Sequence, residues 1–108
     1  MIKESALKYF RAFAEKDISS LRAMLAPAVS LRDWDIYAEG LDAVVAANLN
    51  IFNAVKTIAV TPVDVFFDRN TVVAELKIEI DGAEPLKVVD ILVFDRDGKI
   101  CAIRAYKS

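Results

Sequence analysis

Asp90 is the residue in this sequence with the most to explain. It stands among Leu86, Val88, Val89, Ile91, Leu92 and Phe94, and by the two-residue period of a strand it shares a face with Leu92 and Phe94. An ionised carboxyl is costly in such surroundings, and burial favours the neutral acid, which can donate a hydrogen bond and polarise a carbonyl. A structural acid held by a nearby donor, or one exposed at the mouth of a sheet, would fit the same pattern. Tyr9 lies between Ala6 and Phe13 on the inward stripe of a helical segment, so its ring is expected to be buried and its hydroxyl to need a partner. It is either a core tyrosine or a donor to a ligand. Asn48 interrupts another apolar helical stripe, where it either bonds a ligand or satisfies a neighbouring backbone group. Asp33-Trp34-Asp35 sets two acids and a large ring at a strand end, a place that suits a site or a solvated turn.

The composition narrows the chemistry open to these groups. There is no histidine, which removes Ser-His and Cys-His nucleophile systems and imidazole zinc sites, and leaves carboxylates, tyrosines and lysines as acid-base groups. The acids lack metal-ligand spacing and no glycine-rich loop exists to cradle a phosphate, so no metal and no cofactor is expected. Cys101 is the only cysteine; it can form no internal disulfide, and its apolar strand suits a buried structural thiol. The 14 basic and 16 acidic residues are interleaved, for a net charge of -2, so no basic patch is available for nucleic acid. No apolar run approaches the length of a membrane span, and the Met1-Ile2-Lys3-Glu4 start has no signal-like apolar region. A cytoplasmic protein is expected.

With 108 residues and 56% hydrophobic content, the chain suffices for one core, hence one domain over residues 1–108. Ile2, Ala6, Phe10, Phe13 and Ala14 recur at helical spacing. Asp17 is placed to cap a second helix running to about Leu25, with Pro27 marking its end. Val29 to Trp34 reads as a short strand. Gly40 precedes a third helix with the stripe Leu41, Val44, Val45, Asn48, Phe52 and Val55. From Thr57 the period changes to two. A strand reaches about Phe67 and contains Pro62, which argues for an edge or a bulge. After the Asp68-Arg69-Asn70-Thr71 turn, Val72, Ala74, Leu76, Ile78 and Ile80 alternate with charged residues. Asp81-Gly82 ends that strand, Leu86 to Phe94 is apolar on both faces, and Asp95-Arg96-Asp97-Gly98 turns into a last strand from Lys99 to Tyr106. Helices followed by an antiparallel meander indicate an α+β fold with the helices on one sheet face. The second apolar face, Val89, Ile91 and Val93, then needs a cover, and a second copy of the chain is the expected one, giving a homodimer through the sheet.

The order of elements and several strings resemble the nuclear transport factor 2-like superfamily, above all its SnoaL-like and ketosteroid isomerase branches. Ala6-Leu7-Lys8-Tyr9-Phe10 with Phe13, Ala14 and Asp17 is similar to the family's opening helix. Val89 to Asp95, Asp97-Gly98-Lys99-Ile100 and Arg104-Ala105-Tyr106 resemble its closing hairpin. The resemblance implies a cone-shaped domain of three N-terminal helices on a curved, mostly antiparallel sheet. It also implies that Tyr9 and a protonated Asp90 hydrogen-bond a developing enolate oxygen while Asp33 shuttles a proton. Trp34 replaces a proline usual in the steroid enzymes, and Asn48 falls where they carry a supporting tyrosine; Asp35 is a substitute candidate for the base. The candidate catalytic residues are thus Asp33, Tyr9 and Asp90, and the candidate substrate-binding residues are Trp34, Asn48, Phe52, Leu92 and Phe94. Two functions compete: an isomerase or cyclase acting on a small apolar carbonyl compound, and a module that binds a ligand or assembles without catalysis.

Overall fold

The computed structural model describes residues 1–108. Three helices, α1 (Ile2–Ala14), α2 (Ile18–Met24) and α3 (Leu41–Ala54), accompany six strands: β1 (Leu25–Arg32), β2 (Tyr37–Glu39), β3 (Ile58–Asp68), β4 (Thr71–Ile80), β5 (Leu86–Phe94) and β6 (Ile100–Lys107). All six strands join one mixed sheet in the order β2-β1-β6-β5-β4-β3, in which only the β1–β6 pair is parallel. The fold is α+β, as its pattern of helices and then alternating strands implies. No helix is long and apolar enough to cross a membrane.

Local chemistry sets the element ends. Asp17 caps α2: its side chain accepts the Ser20 backbone N–H at 3.1 Å and the Ser20 hydroxyl at 2.6 Å. These bonds favour the ionised carboxyl and hold its pKa below the ordinary value. The Lys16 ammonium donates to the Phe52 carbonyl at 2.8 Å and to the Val55 carbonyl, which satisfies acceptors left open at the end of α3. Gly40 precedes α3 with φ +90°, a conformation that a Cβ would strain. Asp95 Oδ1 accepts the N–H groups of Asp97 and Lys99 and fixes the β5–β6 hairpin.

Three details depart from the sequence reading. The chain passes from α2 into β1 without a turn, and β1 runs from Leu25 to Arg32 instead of from Val29 to Trp34. Pro27 sits inside this strand, where the β1–β6 pairing is interrupted between Leu25 and Ser30, so its missing N–H breaks no ladder. The strand β2 was not expected, because three residues with Tyr37 and Glu39 exposed carry no periodic apolar signal. Pro62, by contrast, lies on an edge strand and beside a register shift between Pro62 and Asp64, both of which its presence in a strand suggests.

The helices cover one face of the sheet. Ala6, Tyr9 and Phe10 of α1, Leu21 of α2, and Val44, Val45 and Phe52 of α3 meet Val29, Val72, Leu76, Leu92, Phe94, Ile100 and Ile103 from the strands. The Phe13 and Phe52 rings meet edge to face at 5.2 Å and join α1 to α3. On the uncovered face, register places Phe66, Val73, Ile91 and Arg104 in one row across four strands. Phe66 is 62% exposed.

Candidate active site

Asp90 occupies the middle of β5, and its neighbours across the sheet are Ala74 on β4 and Ala105 on β6. The short side chain of Ala105 leaves space beside the carboxyl on the helix-covered face, since directly opposed side chains are the closest across strands, whereas Ala74 is packed in the core. That space is a cavity of about 150 Å³ between the sheet, α1 and α3. Of its 17 lining residues 14 are hydrophobic; the exceptions are Asp33, Asn48 and Asp90, so any polar contact inside falls to these three and to Tyr9 and Trp34.

Tyr9 reaches the cavity from α1, with 4% of its surface exposed. Burial, and then the charge of Asp90, push its hydroxyl well above the ordinary tyrosine range, so it stays protonated as a donor. Asp33 follows the last residue of β1. Arg32 pairs with Arg104, and Ala105 pairs with Asp90, so the chain brings Asp33 to the cavity on the far side of Ala105 from Asp90. Burial raises the Asp90 pKa from 3.8 to about 7, with the charge of Asp33 adding to the shift. In the neutral form Asp90 gains an O–H donor.

Asp33 also organises its own loop. Its Oδ1 accepts the N–H groups of Asp35 at 2.7 Å and Ile36 at 2.6 Å, while its N–H donates to the Ile36 carbonyl at 2.9 Å. This turn leads directly into β2 and leaves Asp35 exposed and outside the cavity. Trp34 lines the mouth, 42% exposed, with the Lys107 ammonium 5.2 Å from its ring centroid. Asn48 comes from α3, is 2% exposed, and its Nδ2 has no hydrogen-bond partner.

The structure therefore brings Tyr9, Asp33, Asp90, Trp34 and Asn48 to one cavity. It does not bring Phe52, Leu92 or Phe94 there: all three are buried in the core, and none lines the space. Leu92 and Phe94 share a face with Asp90 but continue past the cavity, and Phe52 is taken up by Phe13. Among the walls the sequence reading left out are Ile78, Ile80, Leu86, Val88 and Ile103, together with the alanine at 105. Strand parity alone could have found Leu86 and Val88, which alternate with Asp90 on β5. No group of three or more His, Cys, Asp or Glu side chains is placed to hold a metal ion.

Comparison with known proteins agrees with this architecture. No curated protein sequence matches the chain. An NTF2-like protein of unknown function from Cytophaga hutchinsonii superposes with a TM-score of 0.84 at 13% identity, covering 100% of this chain and 90% of that one. A candidate ketosteroid isomerase from Kribbella flavida gives 0.84 at 17% identity, covering 99% and 77%. SalBIII, described as an epoxide hydrolase/cyclase-like enzyme with a role in pyran ring formation in the polyether salinomycin, gives 0.85 at 19% identity, covering 99% and 90%. At these identities the likeness shows a shared NTF2-like fold. Residues 6–103 match the family described as the SnoaL-like domain, and the chain belongs to that family.

Proposed function

We propose that the cavity binds a small, mostly apolar carbonyl compound and that the protein acts on it by acid-base chemistry, without a cofactor, as an isomerase or cyclase. The observation that carries this reading is the meeting of Tyr9, Asp33 and Asp90 around one space that is apolar apart from them, Asn48 and the indole N–H of Trp34. Asp33 takes a proton from the carbon beside the carbonyl, and the electron pair moves onto oxygen. The enolate oxygen accepts hydrogen bonds from the Tyr9 hydroxyl and from neutral Asp90, in a site where few waters compete. Asp33 then returns the proton to a different carbon, and the double bond has moved. In this reading the helices and a curved sheet form a cone, closed at the Leu92 and Phe94 end and open at Trp34. A cavity of about 150 Å³ suits a single ring better than a fused set.

The test is conversion of 3-cyclohexen-1-one to its conjugated isomer, followed by ultraviolet absorbance. Turnover is expected, with Asp33→Asn losing at least about 100-fold in rate and Tyr9→Phe losing less. An unchanged rate in Asp33→Asn would remove the assignment of the base. One observation favours the second reading, binding without turnover: an oxygen of Asp33 is already engaged by two N–H groups of its own loop, a structural task that accounts for an acid there.

The proposal includes a homodimer through the uncovered sheet face. Its support is the row of Phe66, Val73 and Ile91, with Tyr106 56% exposed nearby, an apolar surface no element of this chain covers. A cytoplasmic setting goes with this reading, since Cys101 can form no internal disulfide.

A further inference from the structure

We infer that Asn48 is a specificity-determining residue, and that the ligand is an uncharged compound with a second oxygen acceptor besides its carbonyl. The inference rests on the pocket reading proposed above and names the ligand class of that pocket.

Asn48 lies on α3 one helical turn after Val44 and one turn before Phe52, so a leucine there would complete an apolar stripe and favour the helix. An amide is retained instead. It is 2% exposed, it lines the cavity, and its Nδ2 has no partner among the protein groups around it. A buried amide donor left unpaired costs free energy in the empty protein, and that cost is recovered when an acceptor enters the cavity. Nδ2 is enclosed, and a half-turn of the terminal amide exchanges it with Oδ1 and presents its N–H groups to such an acceptor at no cost to the helix.

The carbonyl of the ligand is already provided for by Tyr9 and Asp90. A carbonyl oxygen has two lone pairs, which Tyr9 and neutral Asp90 fill, so the donor of Asn48 is left for a second oxygen of the same molecule. Charge fixes the rest of the class. No lysine or arginine lines the cavity, while Asp33 and Asp90 both do, so an anionic ligand would meet carboxylates and find no counter-charge. A hydroxyl, ether or second carbonyl oxygen meets the requirement. A carboxylate does not.

The experiment compares two sets of ligands that differ in one atom: 2-, 3- and 4-methoxycyclohexanone, and the corresponding ethylcyclohexanones, in which a methylene replaces the ether oxygen. Dissociation constants are measured by NMR titration of the wild-type protein and of Asn48→Leu, with Asn48→Ala as a second variant should the first fail to fold. At least one methoxy isomer is expected to bind the wild type about five- to tenfold more tightly than its ethyl counterpart. That preference disappears in either variant, while the ethyl compounds bind the leucine variant at least as well as before. Absence of any methoxy preference in the wild type, or its survival in the variants, would overturn the inference and leave the pocket reading standing. If none of the six compounds binds the wild type, the pocket reading itself fails and the inference falls with it. 4-Oxocyclohexanecarboxylate is expected to bind at least about tenfold more weakly than the best methoxy isomer; equal binding would overturn the requirement for an uncharged ligand.

Discussion

Asp33 and Asp90 line the same cavity with the β6 residue Ala105 between their strands, and the charge of Asp33 adds to burial in holding Asp90 at a pKa of about 7. A carboxyl poised there changes its hydrogen-bonding role within the neutral range. Below about pH 7 it donates; above it, it can only accept.

This shift has a sign in stability. The folded protein holds the Asp90 proton up to about pH 7, whereas an ordinary aspartate loses it near 3.8, so between these values the native state binds more protons than the unfolded one. The contribution of Asp90 is therefore least unfavourable below pH 3.8 and becomes steadily more unfavourable as pH rises to about 7, on the order of a few kcal/mol in all. Melting temperatures from pH 4 to 8 are expected to fall more steeply with pH for the wild type than for Asp90→Asn. Parallel curves would show that the group does not titrate in this window.

Removing the charge of Asp33 is expected to lower the Asp90 midpoint from about 7, since that charge is the smaller of its two causes. Asp33→Asn preserves an oxygen acceptor for the Asp35 and Ile36 N–H groups, so the loop can keep its form. Carbon-detected NMR titration of Asp90 in the two proteins decides it, and an unmoved midpoint would assign the shift to burial alone.

Leu92→Ala is expected to destabilise the protein by about 2–5 kcal/mol, because the side chain is fully buried and the core around it can relax only partly. Ligand affinity of the folded fraction should change little, as Leu92 does not line the cavity. Chemical denaturation and a binding titration on the same preparation separate these effects. A large loss of affinity with small loss of stability would return Leu92 to the binding site.

Asn48→Leu is expected to leave the ligand-free protein as stable as the wild type or to raise its stability by about 1 kcal/mol, by replacing an unpaired buried donor with an apolar side chain. Thermal unfolding without ligand measures this. A marked loss of stability would mean that the amide is satisfied in the folded protein.

Val73→Glu places a charge between Phe66 and Ile91, in the centre of the uncovered apolar row, and is expected to yield monomers at concentrations where the proposed dimer of the wild type forms. Sedimentation analysis of both proteins is the check, and a wild type that stays monomeric well above micromolar concentration would remove the dimer altogether.

The sequence by itself determined the helix-then-strand order, the cap at Asp17, that the Pro62 strand is an edge or carries a bulge, and the positions of the hairpins, because each follows from local preferences: period, capping oxygen, proline and turn residues. It also singled out Tyr9, Asp33, Asn48 and Asp90, since a polar residue in an apolar stripe or at a strand end is visible without coordinates. What only the tertiary structure decided was which of these groups share a space. The parallel β1–β6 pairing carries Asp33 to the cavity, and the short side chain of Ala105 beside Asp90 leaves room for it; both depend on contacts between residues far apart in the chain. Phe52, Leu92 and Phe94 carry the right parity or stripe for a pocket wall, yet close packing assigned them to the core. Periodicity states which face a side chain takes; where along that face a cavity ends is set by how the volumes of opposing elements fill it.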